Sequence, residues 1–344
     1  MRYPFGLVFD SARHLVGRRL RGERKIAVML SLDPLGAYAS TCNGTKSAWS
    51  QRNGATLTVE QCQAAMEECD TPLVTICGGE PLEYPEIAAL TRAVLDRGKH
   101  LFLCTDGTLI RRRLHMIPPF TNLFWNVKLD GTESVHETRA GRPGLFVEAL
   151  DGIKAAKNAG FFVLVASTVF PDTDVSDLEG LYARLHAMHV DGYFLSPHYP
   201  TKKLCREGSA KFHEAMHQRF REASERLGGY NLMISPIYLE YLRGERELDC
   251  SVWGSPLYGP LGWSGPCYLQ NARRAKSYRE LLEETVWENY GRGLNPGCEN
   301  CQCHAGYETA ALLATSPKAG DFWKMLAWQL SGRLGEKRGG KRTQ

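Results

Sequence analysis

A parallel α/β sheet is the fold that the first 200 residues of this 344-residue chain predict. Three observations carry that reading. Apolar, strand-like runs at 25–32, 73–77, 100–104, 123–129, 161–169 and 192–196 recur with helix-length gaps between them. Amphipathic helical patterns fill the gaps at 57–69, 85–97, 108–116, 145–159 and 175–188. Short polar or glycine-bearing clusters end the strands: Asp33-Pro34, Gly78-Gly79-Glu80-Pro81, Thr105-Asp106-Gly107, Asp130-Gly131 and Ser196-Pro197. Six strand–helix alternations demand right-handed crossovers, in a partial barrel or a doubly wound sheet. In either, chemistry gathers at the carboxyl ends of the strands, where these clusters fall.

The flanks read differently. Residues 1–24 form an amphipathic basic helix: Phe5, Val8, Phe9, Leu15, Val16 and Leu20 make an apolar stripe bordered by Arg13, Arg18, Arg19, Arg21 and Arg24. Such a helix either lies on the domain body or makes peripheral contact with a membrane. After residue 205 a helix is expected over 209–227, then a short strand and helix over 231–243, then Trp-, Gly-, Pro- and Tyr-rich segments with clustered cysteines. Residues 332–344 are rich in glycine and basic residues. The organisation is therefore 1–24, a barrel over 25–204, a Cys-rich extension over 205–315 and a C-terminal helix and tail over 316–344.

Composition excludes several classes. A net charge of +4 is too small to argue for nucleic acid. No run of about 18 apolar residues is present to span a membrane, and the first residues lack the order of a secretory signal. Eleven cysteines without an export signal point to the cytoplasm, with thiols serving metal or chemistry. A small-molecule substrate, one that an apolar pocket would suit, is the expected partner; Trp125, Trp253, Trp263, Tyr258 and Tyr268 could line such a pocket or fill the core.

The strand ends supply candidate ligand contacts. Gly78 and Gly79 let backbone groups approach a ligand, Pro81 stiffens the exit, and Glu80 could bind an α-amino group. Thr105, Asp106, Asp130, Ser167, Thr168 and Ser196 stand at or near other strand ends and could contact the same ligand, with His198 and Tyr199 able to reach a substrate. Cys298-x2-Cys301-x-Cys303-His304 has metal-ligand spacing, and Cys250 and Cys267 could complete a four-ligand zinc or iron–sulfur site.

The order of these motifs resembles the radical SAM superfamily. There a loop after the first strand carries Cys-x3-Cys-x2-Cys for a [4Fe-4S] cluster, and a Gly-Gly-Glu-Pro turn on the second strand binds the methionyl amine of S-adenosylmethionine. Stretches such as Asp33-Pro34-Leu35, Gly78-Gly79-Glu80-Pro81-Leu82, Leu103-Cys104-Thr105, Leu129-Asp130-Gly131, Trp253-Gly254 and Pro266-Cys267-Tyr268-Leu269 further resemble the hopanoid-pathway branch that transfers adenosyl to hopene (HpnH-like proteins). The resemblance implies a partial (β/α)6 barrel with a Cys-rich extension and S-adenosylmethionine across the strand tips. It also implies a hydrogen-donor thiol at Cys104, a ribose or carboxylate contact at Asp106, where relatives carry Asn, and a C-terminal Cys-x2-Cys-x3-Cys whose last position is Ala305 here.

The chain departs from the pattern in the cluster loop. Tyr38, Cys42 and Thr45 occupy the three ligand positions, and no cysteine precedes Cys42. A phenol with a pKa near 10 and a threonine hydroxyl are poor cluster ligands. The standard cluster is therefore not expected, and Tyr38, Cys42, Thr45 and Cys104 become candidates for polar chemistry on the sulfonium. A radical adenosyl transferase with an atypically held cluster, and a silent partner protein, are the competing expectations.

Overall fold

The computed structural model describes residues 2–36, 55–199, 209–270, 273–313 and 320–332. Six parallel strands pair in chain order: β1 (Met29–Leu32), β2 (Leu73–Ile76), β3 (His100–Thr105), β4 (Leu123–Lys128), β5 (Phe162–Val169) and β6 (Gly192–Pro197). The helices between them include α2 (Val59–Cys69), α3 (Ile87–Leu95), α4 (Ile110–Arg113), α5 (Glu133–Ala140), α6 (Leu145–Asn158) and α7 (Val175–Ala187), after the N-terminal α1 (Phe5–Leu20). Capping chemistry sets the starts of several. At α2 the Thr58 hydroxyl accepts from Gln61 N while the Gln61 side chain accepts from Thr58 N, a reciprocal box. At α7 the Asp174 carboxylate accepts from Ser176 N.

Strand alternation divides the sheet into two faces. Leu30, Leu32, Val74, Ile76, Leu101, Leu103, Trp125, Val127, Val163 and Val165 join the large core with the helices. Each fully buried Leu or Val there contributes on the order of 1.5–3 kcal/mol. On the other, inner face, Phe102, Phe124 and Leu164 pack with Leu7 of α1 and with Met233, which follows a single bridge between Tyr193 and Leu232. The amino-terminal half of the inner face is thus filled by apolar side chains and by His100, whose Nε2 meets Asp10 of α1 at 2.8 Å. The carboxyl-terminal half presents the remaining polar groups.

The extension is not a separate layer beside the barrel. Its strand β7 (Leu257–Gly259) pairs parallel to β1, and β8 (Gly262–Gly265) and β9 (Arg273–Ala275) follow antiparallel, giving one nine-stranded sheet of order β6-β5-β4-β3-β2-β1-β7-β8-β9. These three-to-four-residue strands were not anticipated, because glycine and arginine interrupt their apolar pattern. The remaining helices are α8 (Ser209–Leu227), α9 (Pro236–Leu242), α10 (Tyr278–Glu284), α11 (His304–Leu313) and α12 (Asp321–Ser331).

Two expectations need correction in detail. The first strand begins at Met29 rather than 25, since Val28 N is drawn to Gly254 O and leaves the ladder. The helix expected over 108–116 is α4 followed by a short 3-10 turn at Leu114–Met116. Helix α5 was not foreseen, being too polar to show a stripe. Trp125 and Trp263 are wholly buried core residues rather than pocket walls. Among the described residues no helix is long and apolar enough to cross a membrane.

Candidate functional site

The carboxyl ends of β1–β6 bring most of the candidate residues to one rim. Gly78 and Gly79 both adopt left-handed backbone, φ 86° and 64°. At Gly78 the reason is visible: a Cβ there would overlap the carboxylate of Asp33, itself buried at the tip of β1. The absent side chain therefore lets the ends of β1 and β2 close together.

Glu80 ties β2 to β3. One of its oxygens accepts from Leu82 N at 2.9 Å and the other from Asp106 N at 2.9 Å, while Thr105 Oγ1 lies 2.9 Å from both. Burial, reinforced by the nearby Asp106 carboxylate, raises the Glu80 carboxyl to about 8, against the opposing pull of those donors. Asp106 spends Oδ1 on Thr108, accepting from its N at 2.9 Å and its hydroxyl at 2.7 Å.

A second network joins β4 to β5. Asp130 Oδ1 accepts from Thr168 N at 2.8 Å, its Oδ2 lies 3.4 Å from Lys128 Nζ, and its own N donates to His136 Nδ1 at 3.2 Å. Ser167 does not reach the inner face. Its hydroxyl donates to Leu129 O at 2.6 Å on the helix-covered side, which makes it a strand pin rather than a ligand contact. Thr168 and Ser196 share the inner face, paired in register.

Sequence reasoning missed Asn126 and Lys128. Both lie on the inner face of β4, and Asn126 Nδ2 donates to Cys104 Sγ at 3.4 Å while Asn126 Oδ1 is buried without a partner among the described residues. The signal was there: in Leu123–Lys128 polar residues at 126 and 128 share one face with Phe124. His198, past the end of β6, stacks on Phe170 with centroids 4.5 Å apart, and its buried Nδ1 has no partner among the described residues. Burial, with help from Arg139, lowers its pKa to about 4, so it is neutral. Tyr38, Cys42 and Thr45 lie outside the described residues.

The C-terminal thiols meet elsewhere. Cys250, Cys267, Cys298, Cys301 and Cys303 line one cavity with Tyr268, whose hydroxyl lies 2.7 Å from Cys303 Sγ. A Cβ at Gly306 would overlap Cys250 Sγ, so this glycine admits that thiol. Burial pushes the Cys267 thiol up to about 12 and Cys250 and Cys301 up as well. His304, exposed at the start of α11, is not among the lining residues, but its Nδ1 lies 3.9 Å from Cys303 Sγ, which places it beside the thiol set. Among the described residues no three His, Cys, Asp or Glu side chains stand ready around one metal position. The thiols are gathered, but they are not turned onto a common point. Tyr199 reaches the same wall through a 2.8 Å bond from its hydroxyl to Gly297 O.

The fold and rim define a class. Residues 40–185 match the model of the radical SAM superfamily, and residues 194–325 match that of a domain of unknown function (DUF3463). The likeness to the radical SAM superfamily rests on the first match together with two relatives in sequence. The AdoMet-dependent heme synthase of Methanosarcina barkeri is 23% identical over 239 residues, 63% of this chain and 68% of that protein. The subtilosin biosynthesis protein AlbA of Bacillus subtilis is 26% identical over 207 residues, 56% of this chain but 44% of its own length. Among solved structures, Streptococcus suis SuiB bound to S-adenosylmethionine aligns with a TM-score of 0.57 at 12% identity, covering 73% of this chain and 62% of SuiB. Native anSMEcpe with bound AdoMet aligns at 0.52 and 13% identity, covering 88% of this chain and 97% of that one. The chain thus spans under half of AlbA and less than two thirds of SuiB. The structural likenesses show the α/β fold.

Proposed function

We propose that this chain is an S-adenosylmethionine-binding enzyme that transfers or cyclises a group derived from that cofactor by polar displacement. The observation that carries the reading is a contrast. The strand-tip rim keeps its Gly78-Gly79 turn, its buried Glu80 and the unpartnered Asn126 Oδ1, while the loop before it offers one thiolate at Cys42 where a cluster needs three. The relatives support the cofactor: one is an AdoMet-dependent synthase, and two neighbours were solved with that molecule bound.

The residues fit S-adenosylmethionine and do not fit a standard cluster. Glu80 and the Gly78-Gly79 backbone would hold its amine, and Asn126 and Asp106 would face its polar groups. The bound sulfonium supplies an electrophilic carbon and a neutral thioether leaving group. This chain would orient an acceptor against that carbon and exclude water from it. Neutral His198, past the end of β6, could take up the acceptor's proton, and Lys128, ion-paired with Asp130, would help to orient the acceptor.

A second reading keeps radical adenosyl transfer, onto a hopene-like isoprenoid, with a cluster held through other ligands. Cys77 and Cys104 favour it, since they follow the paired Ile76 and Leu103 at neighbouring strand ends. The cavity of five thiols supports a zinc or iron–sulfur centre in the extension under either reading.

Calorimetry with S-adenosylmethionine and anaerobic reconstitution with iron and sulfide test these together. The polar reading expects binding by iron-free protein, weakened at least tenfold in Asn126→Ala. Release of 5′-deoxyadenosine that depends on Cys42 or on Cys77 and Cys104 would sink it in favour of the second. No binding by iron-free protein would leave a silent partner.

A further inference from the structure

Two amphipathic helices turn apolar faces to solvent on either side of one contact. In α1, Phe5, Phe9, Val16 and Leu20 are all exposed, Leu20 by 84%, and their spacing of four, seven and four residues sets them within one narrow stripe. Phe5 and Phe9 stack on each other, centroids 5.9 Å apart, rather than on the body. In α12, Phe322, Trp323, Leu326 and Leu330 do the same, Phe322 by 70% and Trp323 by 69%. The residues just before α1 meet the last turns of α12, where Arg2 N donates to Gln329 O at 2.8 Å, Arg2 Nε donates to Trp328 O at 3.1 Å, and Tyr3 packs edge-on against Trp328.

Charge says what would cover these faces. The segment from Arg13 to Lys25 carries Arg13, Arg18, Arg19, Arg21, Arg24 and Lys25 against Glu23 alone. Arg13, Arg21 and Arg24 are exposed. The thirteen residues after α12 carry five cations, Arg333, Lys337, Arg338, Lys341 and Arg342, against Glu336. That tail holds an excess of four, which equals the net charge of the whole chain. With an excess of five in 13–25, the two segments together carry +9 and the rest of the chain −5, so positive charge is concentrated in sequence beside the two most exposed apolar helices. Large aromatic and aliphatic groups flanked by arginine and lysine match the boundary between acyl chains and anionic headgroups.

We propose that α1 and α12 together form a docking face for an anionic lipid bilayer, with Phe5, Phe9, Val16 and Leu20 entering the interface and the adjoining Phe322–Trp323 face reinforcing it. The proposal does not depend on the chemistry at the strand tips.

Co-sedimentation of the full chain with vesicles tests it. Vesicles of phosphatidylcholine containing one quarter phosphatidylglycerol should bind the protein, and raising the salt should weaken that binding several-fold. The double variant Phe9→Glu/Val16→Glu should bind at least tenfold less tightly, and Trp323→Glu should bind more weakly than wild type. Both changes are at exposed positions, and circular dichroism should report unchanged helix content. Failure of the wild type to bind these vesicles, or equal binding by both variants, would overturn the proposal. So would a concentration-dependent dimer that Phe9→Glu/Val16→Glu dissociates without any lipid effect, which would assign the face to a second copy.

Discussion

The carboxylate of Asp33 occupies the space that a side chain on Gly78 would need. One residue closes the end of β1 and the other opens the turn at the end of β2, so each explains the other. The position also holds φ at 86°, which L-residues adopt only with strain. Gly78→Ala should therefore lose on the order of 2 kcal/mol or more and displace Asp33. Urea denaturation measures the first effect. If the turn serves ligand binding, calorimetry with S-adenosylmethionine should show affinity falling further than stability explains.

Glu80 and His198 give the rim opposite pH dependences. The Glu80 carboxyl is raised by burial to about 8, so between about 4.5 and 8 the unfolded chain releases a proton that the native state keeps. Stability should fall as pH rises through that window. His198 is lowered by burial to about 4 from 6.5, so the unfolded chain takes up a proton that the native state refuses, and stability should fall as pH drops from 6.5 towards 4. Melting temperatures of Glu80→Gln across the upper window should be flatter than wild type. Those of His198→Gln should be flatter in the lower one. An unchanged slope in either variant would show that other groups govern it.

Much of this was legible in the chain because apolar periodicity and turn chemistry are local. The six parallel strands, the amphipathic helices between them other than the polar α5, and the Gly78–Pro81 turn each announce themselves within a dozen residues. Contacts made across long separations did not. Ser167 looked like a ligand contact because it stands at a strand end, but one step of alternation turns it to Leu129 O. Asn126 was hidden inside an aromatic strand. Likewise, nothing near Leu257–Gly259 predicts pairing with β1, whose partner residues lie more than 200 positions earlier.

The buried ion pair between Arg246 and Asp321 should decide whether α12 stays in place. Nη1 and Nη2 of Arg246 donate to the two carboxylate oxygens at 2.8 and 2.7 Å, with both side chains nearly excluded from solvent. Asp321→Ala leaves the guanidinium buried with Glu240 as its nearer remaining carboxylate, at 3.6 Å. Breaking such a pair costs about 3–5 kcal/mol, which Glu240 partly offsets. Hydrogen exchange in 320–332 should quicken well beyond its effect elsewhere. Arg246→Met combined with Asp321→Ala should recover much of the loss, because the uncompensated charge is then gone.

Five thiols around one cavity make a sharper prediction for the extension. In an apolar pocket, thiols stay protonated, as the raised Cys267 value of about 12 reflects. A metal ion reverses that preference, since coordination favours the thiolate and converts burial from a cost into protection. The cavity wall is built for sulfur: Gly306 admits Cys250, and Tyr268 meets Cys303. Purified protein should then carry about one zinc or one iron–sulfur centre at this site, read by elemental analysis and, for iron, by visible absorption. Cys267→Ser/Cys301→Ser should remove it, whereas Cys42→Ala should leave it untouched, since Cys42 precedes the first thiol of the cavity by more than 200 positions in the chain and is not one of its five thiols. His304→Ala should keep the centre, because five thiols remain around the cavity; metal lost with it would mean that the imidazole, whose Nδ1 lies 3.9 Å from Cys303 Sγ, is itself a ligand. Metal absent from wild-type protein purified without chelator and without oxygen would mean that the thiols are a reduced core.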